Sequence, residues 1–105
     1  MAEAPQANEP LPQIAVVIPC YNAGARIAPV VAAARRRAGR VIVVDDGGTD
    51  GACDGLAGGN TEVLRLPVNR GKGHALLAGI RRALEDPAAR IVCTQIGRAS
   101  CRERV

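Results

Sequence analysis

Short runs of β-branched and aliphatic residues recur along the chain, and they constrain its fold more than any other feature. Residues 14–18 and 41–44 are uninterrupted apolar runs, and residues 62–66 and 90–94 are also rich in Val, Ile and Leu. Uninterrupted runs of this length are typical of strands buried on both faces of a parallel sheet. Because the chain has one Tyr, no Phe and no Trp, we expect small aliphatic side chains to fill its core.

The segments between these strands have helical periodicity. The first helix has its expected buried face at Ile27, Val30, Val31 and Ala34. The second spans 72–84 and has its expected buried face at Leu76, Leu77, Ile80, Ala83 and Leu84. A short helix is also expected over 52–56. The resulting order, βαβαβαβ, predicts an α/β protein in which helices cover both faces of a mostly parallel sheet.

The two ends of the chain differ from this pattern. Residues 1–12 are polar and contain three prolines, so we expect a disordered leader there. The strand and helix pattern occupies residues 13–95. Residues 96–105 show no apolar periodicity, and all ten resemble a translated sequencing adapter. We therefore expect them to be a non-native tail.

Charge and cysteine content exclude several classes of protein. Half of the net charge of +4 comes from the last ten residues, and the basic residues are not interleaved with aromatic ones as in proteins that bind nucleic acid. The four cysteines lack C-x-x-C spacing, and His74 is the only histidine, so we expect no zinc site and a reducing, cytoplasmic setting. No signal peptide and no apolar run of about 20 residues are present, so membrane association is expected only through C-terminal parts outside this sequence.

The most informative polar segment is 45–51, which follows the second strand directly. Asp45 and Asp46 stand at the end of a buried strand, where two carboxylates repel each other unless hydrogen-bond donors use them. A carboxylate there can accept hydrogen bonds from a nucleobase or a ribose. Asp50 and Thr49 are expected instead to cap the following turn. The segment lacks the ligand positions of a calcium-binding loop.

Two further segments lie at expected strand ends. Residues 69–74 enter the second helix, whose first N–H groups, with Arg70 or Lys72, would attract phosphate. The spacing of Gly and Lys there is neither that of a Walker loop nor that of a dinucleotide fingerprint, and His74 is expected on the helix surface. Tyr21, after the first strand, is either a stacking platform for a planar base or a partly buried loop residue.

Together, residues 17–22, 43–51 and 69–73 resemble the corresponding motifs of the family 2 glycosyltransferases. The resemblance covers about 14–95 in order and spacing. It implies the N-terminal, nucleotide-binding half of the A-type glycosyltransferase fold, a Rossmann-like three-layer sandwich. It also implies nucleotide-binding roles for five residues. These are Pro19 and Tyr21 beside the base, Asp46 on the base or ribose with Asp45 in support, and Lys72 near the diphosphate. Gly48 departs from the Ser usual in this motif.

The resemblance also implies what the whole protein does. Such enzymes transfer a sugar, hexosyl in the nearest subgroup, from a nucleotide-diphosphate sugar to an acceptor, which in that subgroup is polyprenyl phosphate. Their Mg²⁺ or Mn²⁺ is held by a D-x-D motif after the fourth strand, where residues 96–105 begin here. We therefore expect a truncated enzyme that binds nucleotide weakly, without catalytic residues or a metal. The alternatives are a nucleotidyltransferase-like domain and a non-enzymatic basic binding module.

Overall fold

A computed structural model describes residues 11–96 and 98–103, with side chains for residues 11–90. The strands are β1 (Leu11–Cys20), β2 (Ala38–Asp46), β3 (Thr61–Leu66), β4 (Ile91–Ile96) and β5 (Arg98–Glu103). The helices are α1 (Ile27–Arg37), which follows a 3-10 turn at Gly24–Arg26, and α2 (Lys72–Leu84). Neither α-helix is long and apolar enough to cross a bilayer.

All five strands form one sheet in the order β3-β2-β1-β4-β5. The first four are parallel, and β5 pairs with β4 in the antiparallel direction. The chain leaves the centre of the sheet in one direction through β2 and β3, and α2 then returns it to the other side of β1. The predicted α/β, Rossmann-like architecture with a mostly parallel sheet is therefore confirmed.

Each face of the sheet has its own apolar core, because side chains alternate between faces along a strand. On one face, α1 packs on the even-numbered residues of β1 and the odd-numbered residues of β2, such as Ile18 and Val43. On the other face, Ala75 and Ala83 of α2 pack on Val17 and Val44. Small aliphatic side chains fill both layers, as the composition predicts.

The two helices match their predicted faces to different degrees. In α1, Ile27, Val31 and Ala34 are buried as expected. In α2 the predicted face was wrong at Leu77 and Leu84, which are 47% and 44% exposed. Of the predicted face, Ala83 is buried, and Leu76 and Ile80 are partly buried against the core. The other buried residues of α2 are the small ones, Ala75 and Gly79. A Cβ on Gly79 would lie 2.3 Å from Val17 Cγ1, so the helix turns its small residues inward to approach the sheet closely.

The connection from β2 to β3 also differs from the prediction. The expected helix over 52–56 is wrong, since this segment consists of successive turns. The Asp54 N–H donates to the Gly51 carbonyl and the Leu56 N–H to the Cys53 carbonyl. Gly51 and Gly55 have φ of 70° and 80°, values that stop a helix from continuing.

Strand boundaries extend beyond the apolar runs at both ends of the chain. β1 begins at Leu11, inside the segment predicted to be a leader, and residues 1–10 lie outside the described part of the chain. Gly39 allows this extension, because a Cβ there would lie 2.5 Å from Pro12 Cα. The predicted non-native tail includes β5, which pairs along β4 from Ile91↔Glu103 to Ile96↔Arg98. The origin of residues 96–105 stays a prediction.

Candidate functional site

The two carboxylates at the end of β2 point to opposite faces of the sheet. Asp46 lies on the same face of the sheet as Val44, which packs against α2. Asp45 lies on the same face as Val43, which packs against α1. Asp45 is 8% exposed and Asp46 is 3% exposed. The repulsion expected of adjacent buried carboxylates is therefore reduced by geometry, and each group has its own set of hydrogen-bond donors.

Asp46 holds the loop that leads into α2. Its Oδ1 accepts the Arg70 N–H at 3.0 Å, and its Oδ2 accepts the Gly71 N–H at 3.0 Å. Charge-assisted hydrogen bonds of this kind compensate a buried carboxylate for the loss of water. Because each carboxylate oxygen has two lone pairs, both oxygens keep capacity for a further donor.

Asp45 is used within the protein on the other face. Its Oδ1 accepts the Gly48 N–H at 2.9 Å, and its Oδ2 lies 3.1 Å from Arg65 Nη1. Arg65 also reaches Asp54 Oδ1 with its Nη2, at 2.8 Å. Asp45 thus shapes the turn after β2 and joins β2 to the edge strand β3, where Arg65 is its direct register partner.

The start of α2 presents backbone donors. Gly71, with φ of 96° and ψ of 163°, precedes the first helical residue, Lys72. No side chain caps this terminus, and its first turn contains no acidic residue. The first N–H groups of a helix have no partner within the helix and carry partial positive charge. With the exposed Lys72 and Arg70 beside them, they form a region that favours an anion.

The end of β1 lies across from this helix start. Pro19 is partly buried, whereas Tyr21 is 54% exposed. The next residue, Asn22, accepts the Thr49 N–H at 2.8 Å and the Asp50 N–H at 3.2 Å with its Oδ1. Asp50 caps the turn that follows it, because its Oδ1 accepts the Ala52 N–H at 3.0 Å. The capping role expected of Asp50 is therefore present without the expected helix.

These elements enclose a cavity of about 240 Å³ at the carboxyl ends of β1 and β2. Its lining residues are Pro19, Cys20, Tyr21, Asp46, Asn69, Gly71, Lys72 and Ala75. The structure thus brings together four of the five residues predicted to bind nucleotide. Asp45, the fifth, lies on the other face. The cavity is smaller than the ~300–1,000 Å³ of typical small-molecule sites.

Two buried thiols contact each other beside the cavity, and one of them belongs to the lining residue Cys20. The Sγ atoms of Cys20 and Cys53 are 3.4 Å apart, and both thiols are free. Burial raises the pKa of Cys53 to about 12, with the hydrogen bond to Cys20 as the next contribution. The thiol of Cys53 therefore remains protonated at neutral pH, and the two side chains pack as small apolar groups.

Within residues 11–90, where side chains are described, no group of three or more His, Cys, Asp and Glu side chains could hold a metal ion. Asp45 and Asp46 do not fit that purpose as a pair, because they face opposite sides of the sheet and cannot share one ion. His74 is exposed on α2, as expected.

Sequence reasoning missed several residues of this region. Asn69, Gly71 and Ala75 line the cavity, although only the motif around them was singled out. Arg65 was not considered as a partner of Asp45, yet parallel pairing of β2 with β3 places the two side by side. The role of Asn22 has no local signal, because its partners lie 27 and 28 residues away.

Comparison with known proteins decides the family. The model of the family described as glycosyl transferase family 2 matches residues 15–94, most of the chain. The chain belongs to glycosyl transferase family 2. It is also 38% identical over 95 residues to an N-acetylglucosaminyltransferase of Mesorhizobium japonicum. The match covers 78% of this chain and 22% of that relative, so the chain spans about a fifth of the relative's length.

Membership in this family agrees with the geometry of the site. The matched residues include the second half of β1 and all of β2, β3 and α2, and the cavity lies between these elements. The sheet has the Rossmann-like topology that the resemblance implies. The family and the relative support a glycosyltransferase as the broad class of activity.

Proposed function

We propose that the cavity binds the nucleotide part of a nucleotide-diphosphate sugar, and that the whole protein transfers the sugar to an acceptor. The observation that supports this proposal most is the meeting of Tyr21, Asp46 and Lys72 around one cavity at the carboxyl ends of the strands. Parallel α/β sheets bind their ligands at this edge. Membership in glycosyl transferase family 2 supports the same class of donor.

Each group at the cavity has a chemistry suited to one part of the nucleotide. The half-exposed ring of Tyr21 offers a face on which a base can stack. The buried carboxylate of Asp46 has acceptor capacity for a base N–H or a ribose hydroxyl. Lys72 and the uncapped start of α2 supply positive charge for the diphosphate. Stacking contributes about 1–3 kcal/mol per base, so Tyr21 is expected to be a major contributor to affinity.

Any Mg²⁺ or Mn²⁺ of the whole enzyme is proposed to bind outside the described side chains. Asp45 and Asp46 lie on opposite faces of the sheet, and each accepts hydrogen bonds from backbone N–H groups. We therefore derive no catalytic step from Asp45 or Asp46. Nucleotide affinity of this chain is expected to be the same with Mn²⁺ as with a chelator.

The donor sugar to test first is N-acetylglucosamine, which the name of the Mesorhizobium japonicum relative supports. For the acceptor we propose a lipid-linked group such as polyprenyl phosphate. The setting is proposed to be the reducing cytoplasm or the cytoplasmic face of a membrane, which the free thiols of Cys20 and Cys53 support. Sugar transfer by this chain alone is not expected.

Calorimetric titration of the chain with UDP, GDP and UDP-N-acetylglucosamine tests the proposal. We expect saturable binding of one nucleotide, weakened roughly 5- to 100-fold by Tyr21→Ala through the loss of stacking. Lys72→Ala should weaken binding several-fold, by about 1 kcal/mol. Arg36→Ala is the matched control, because Arg36 is an exposed cation in the last turn of α1, on the other side of the sheet. Absence of binding at millimolar nucleotide, or equal losses in Arg36→Ala and Lys72→Ala, would contradict the proposal.

A further inference from the structure

Asn22 has an unusual backbone conformation beside the cavity. Its φ is 47°, and among the described residues it is the one non-glycine residue with a positive φ. Left-handed backbone is unfavourable for residues with a Cβ, and Asn tolerates it best among them. Such conformations persist where surrounding interactions hold them, and they concentrate at functional sites.

The interactions that hold Asn22 join the loop after β1 to the loop after β2. Asn22 Oδ1 accepts the N–H groups of Thr49 and Asp50, at 2.8 and 3.2 Å. In return, Asp50 Oδ2 accepts the Gly24 N–H at 2.9 Å. We call these reciprocal hydrogen bonds between Asn22, Thr49, Asp50 and Gly24 the loop clamp.

The loop clamp joins the two segments that carry Tyr21 and Asp46, two groups of the cavity. Tyr21 immediately precedes Asn22, and Asp46 lies three residues before Thr49 on the other clamped loop. The Sγ contact of Cys20 with Cys53 joins the same two segments in the buried layer below. The clamp therefore fixes where the exposed ring of Tyr21 stands relative to the end of β2.

We propose that Asn22 is a positioning residue for nucleotide binding, a role that rests on the proposed function. Its side chain touches no part of the cavity and acts through Tyr21, by holding the loop of Tyr21 in the binding geometry before the ligand arrives. Pre-organisation of this kind improves affinity, because the cost of ordering the loop is met during folding. Without it, a fraction of the molecules carries a misplaced loop, and the apparent affinity falls by that fraction.

Three substitutions separate the two properties of Asn22. Asn22→Ala removes both the acceptor and the tolerance of left-handed backbone, and should weaken nucleotide binding roughly tenfold. Asn22→Gly keeps the backbone conformation without the acceptor, and should also bind weakly. Asn22→Asp keeps both, so it should restore affinity to within about threefold of wild type when salt screens its added charge.

Asn60→Ala is the matched control for stability. Asn60 also joins distant backbone through its amide, donating to the Ala38 carbonyl at 2.9 Å and the Arg35 carbonyl at 3.3 Å. It lies at the amino end of β3, away from the cavity. We expect Asn60→Ala and Asn22→Ala to lower the melting temperature by similar amounts, about 4–8 °C. Only Asn22→Ala should change the nucleotide dissociation constant.

The outcomes distinguish this inference from the proposed function. If the wild-type chain binds nucleotide and Asn22→Ala binds it with the same affinity, the positioning role is overturned and the proposed function stays intact. The same holds if Asn60→Ala loses as much nucleotide affinity as Asn22→Ala. Failure of Asn22→Asp to bind better than Asn22→Gly would also overturn it. A wild-type chain that binds no nucleotide would overturn both. The expected order of affinity is wild type first, then Asn22→Asp, then Asn22→Gly and Asn22→Ala.

Discussion

Helix α2 crosses the sheet at Gly79, and the absence of a side chain there sets the distance between the two layers. A Cβ at this position would lie 2.3 Å from Val17 Cγ1 and 2.8 Å from Val44 Cγ2. Both valines are completely buried, and β-branched side chains have little rotamer freedom with which to yield. Gly79→Ala therefore forces the helix away from the sheet or the valines into poor rotamers.

The magnitude follows from two opposing terms. Overpacking a core by one methyl group costs about 1–3 kcal/mol, and contacts this short favour the upper half of that range. Ala gains about 1 kcal/mol over Gly in helix propensity. We expect a net loss of about 1–2 kcal/mol in the free energy of unfolding. Gly73→Ala is the control in the same helix, because a Cβ there meets no atom within 4 Å. It should be neutral or stabilise the chain by up to about 1 kcal/mol.

Urea unfolding followed by far-UV circular dichroism measures both variants. The free energies of unfolding of the two variants should differ by about 2 kcal/mol, with Gly79→Ala below wild type and Gly73→Ala at or above it. The dependence on urea should be similar in both. If Gly79→Ala were as stable as Gly73→Ala, the close approach of α2 to Val17 and Val44 would be refuted, and with it the account of why α2 buries its small residues.

Two further predictions follow from the ionisable groups. Because the pKa of Cys53 is raised from 9.0 to about 12, the contribution of this thiol to stability should be fully present below pH 9 and be lost as the pH rises towards 12. Iodoacetamide at pH 8 should label Cys53 slowly in the native chain and rapidly in urea, and rapid labelling of the native chain would contradict its burial. Burial alone would raise the pKa of Glu62, but hydrogen bonds from Arg40 and Arg82 outweigh it and lower the pKa below 4.5. Glu62 should therefore stabilise the fold above that pH and lose this effect as pH falls through its lowered pKa; Glu62→Gln should cost about 0.5–1 kcal/mol at pH 7, and an equal cost at pH 2.5 would refute the ionic contribution.

The local pattern of the sequence predicts the layers of this fold well. The alternation of strands with helical periodicity places β1, β2, β3 and α1, because continuous apolar runs and an apolar helical face each permit few arrangements. The predicted face of α2 was wrong only at Leu77 and Leu84, which were preferred because they are larger and more apolar than Ala75 and Gly79. Which side of α2 faces the sheet depends on the distance between the helix and the sheet. That distance depends on residues of both layers, such as Gly79, Val17 and Val44, and so it cannot be inferred from the helix alone.

The candidate site was predicted in part for a similar reason. Residues at the carboxyl ends of parallel strands converge by topology, so Tyr21 and Asp46 could be placed together once the strands were recognised. The division of Asp45 and Asp46 between two faces follows from the period of two along a strand and was available from the sequence. The hydrogen bonds from Arg70 and Gly71 to Asp46 could not be predicted from the sequence, because they span 24 and 25 residues and depend on the path of the loop.

We propose above all that a nucleotide occupies the cavity between the ends of β1 and β2 and the start of α2. Chemical-shift mapping of the ¹⁵N-labelled chain during a UDP titration tests it most directly. We expect saturable shifts at the amides of Tyr21, Asp46, Gly71 and Lys72, with none at Asn60 or Arg82 at the other end of the sheet. Shifts confined to the other end, or spread evenly over the exposed arginines, would contradict it.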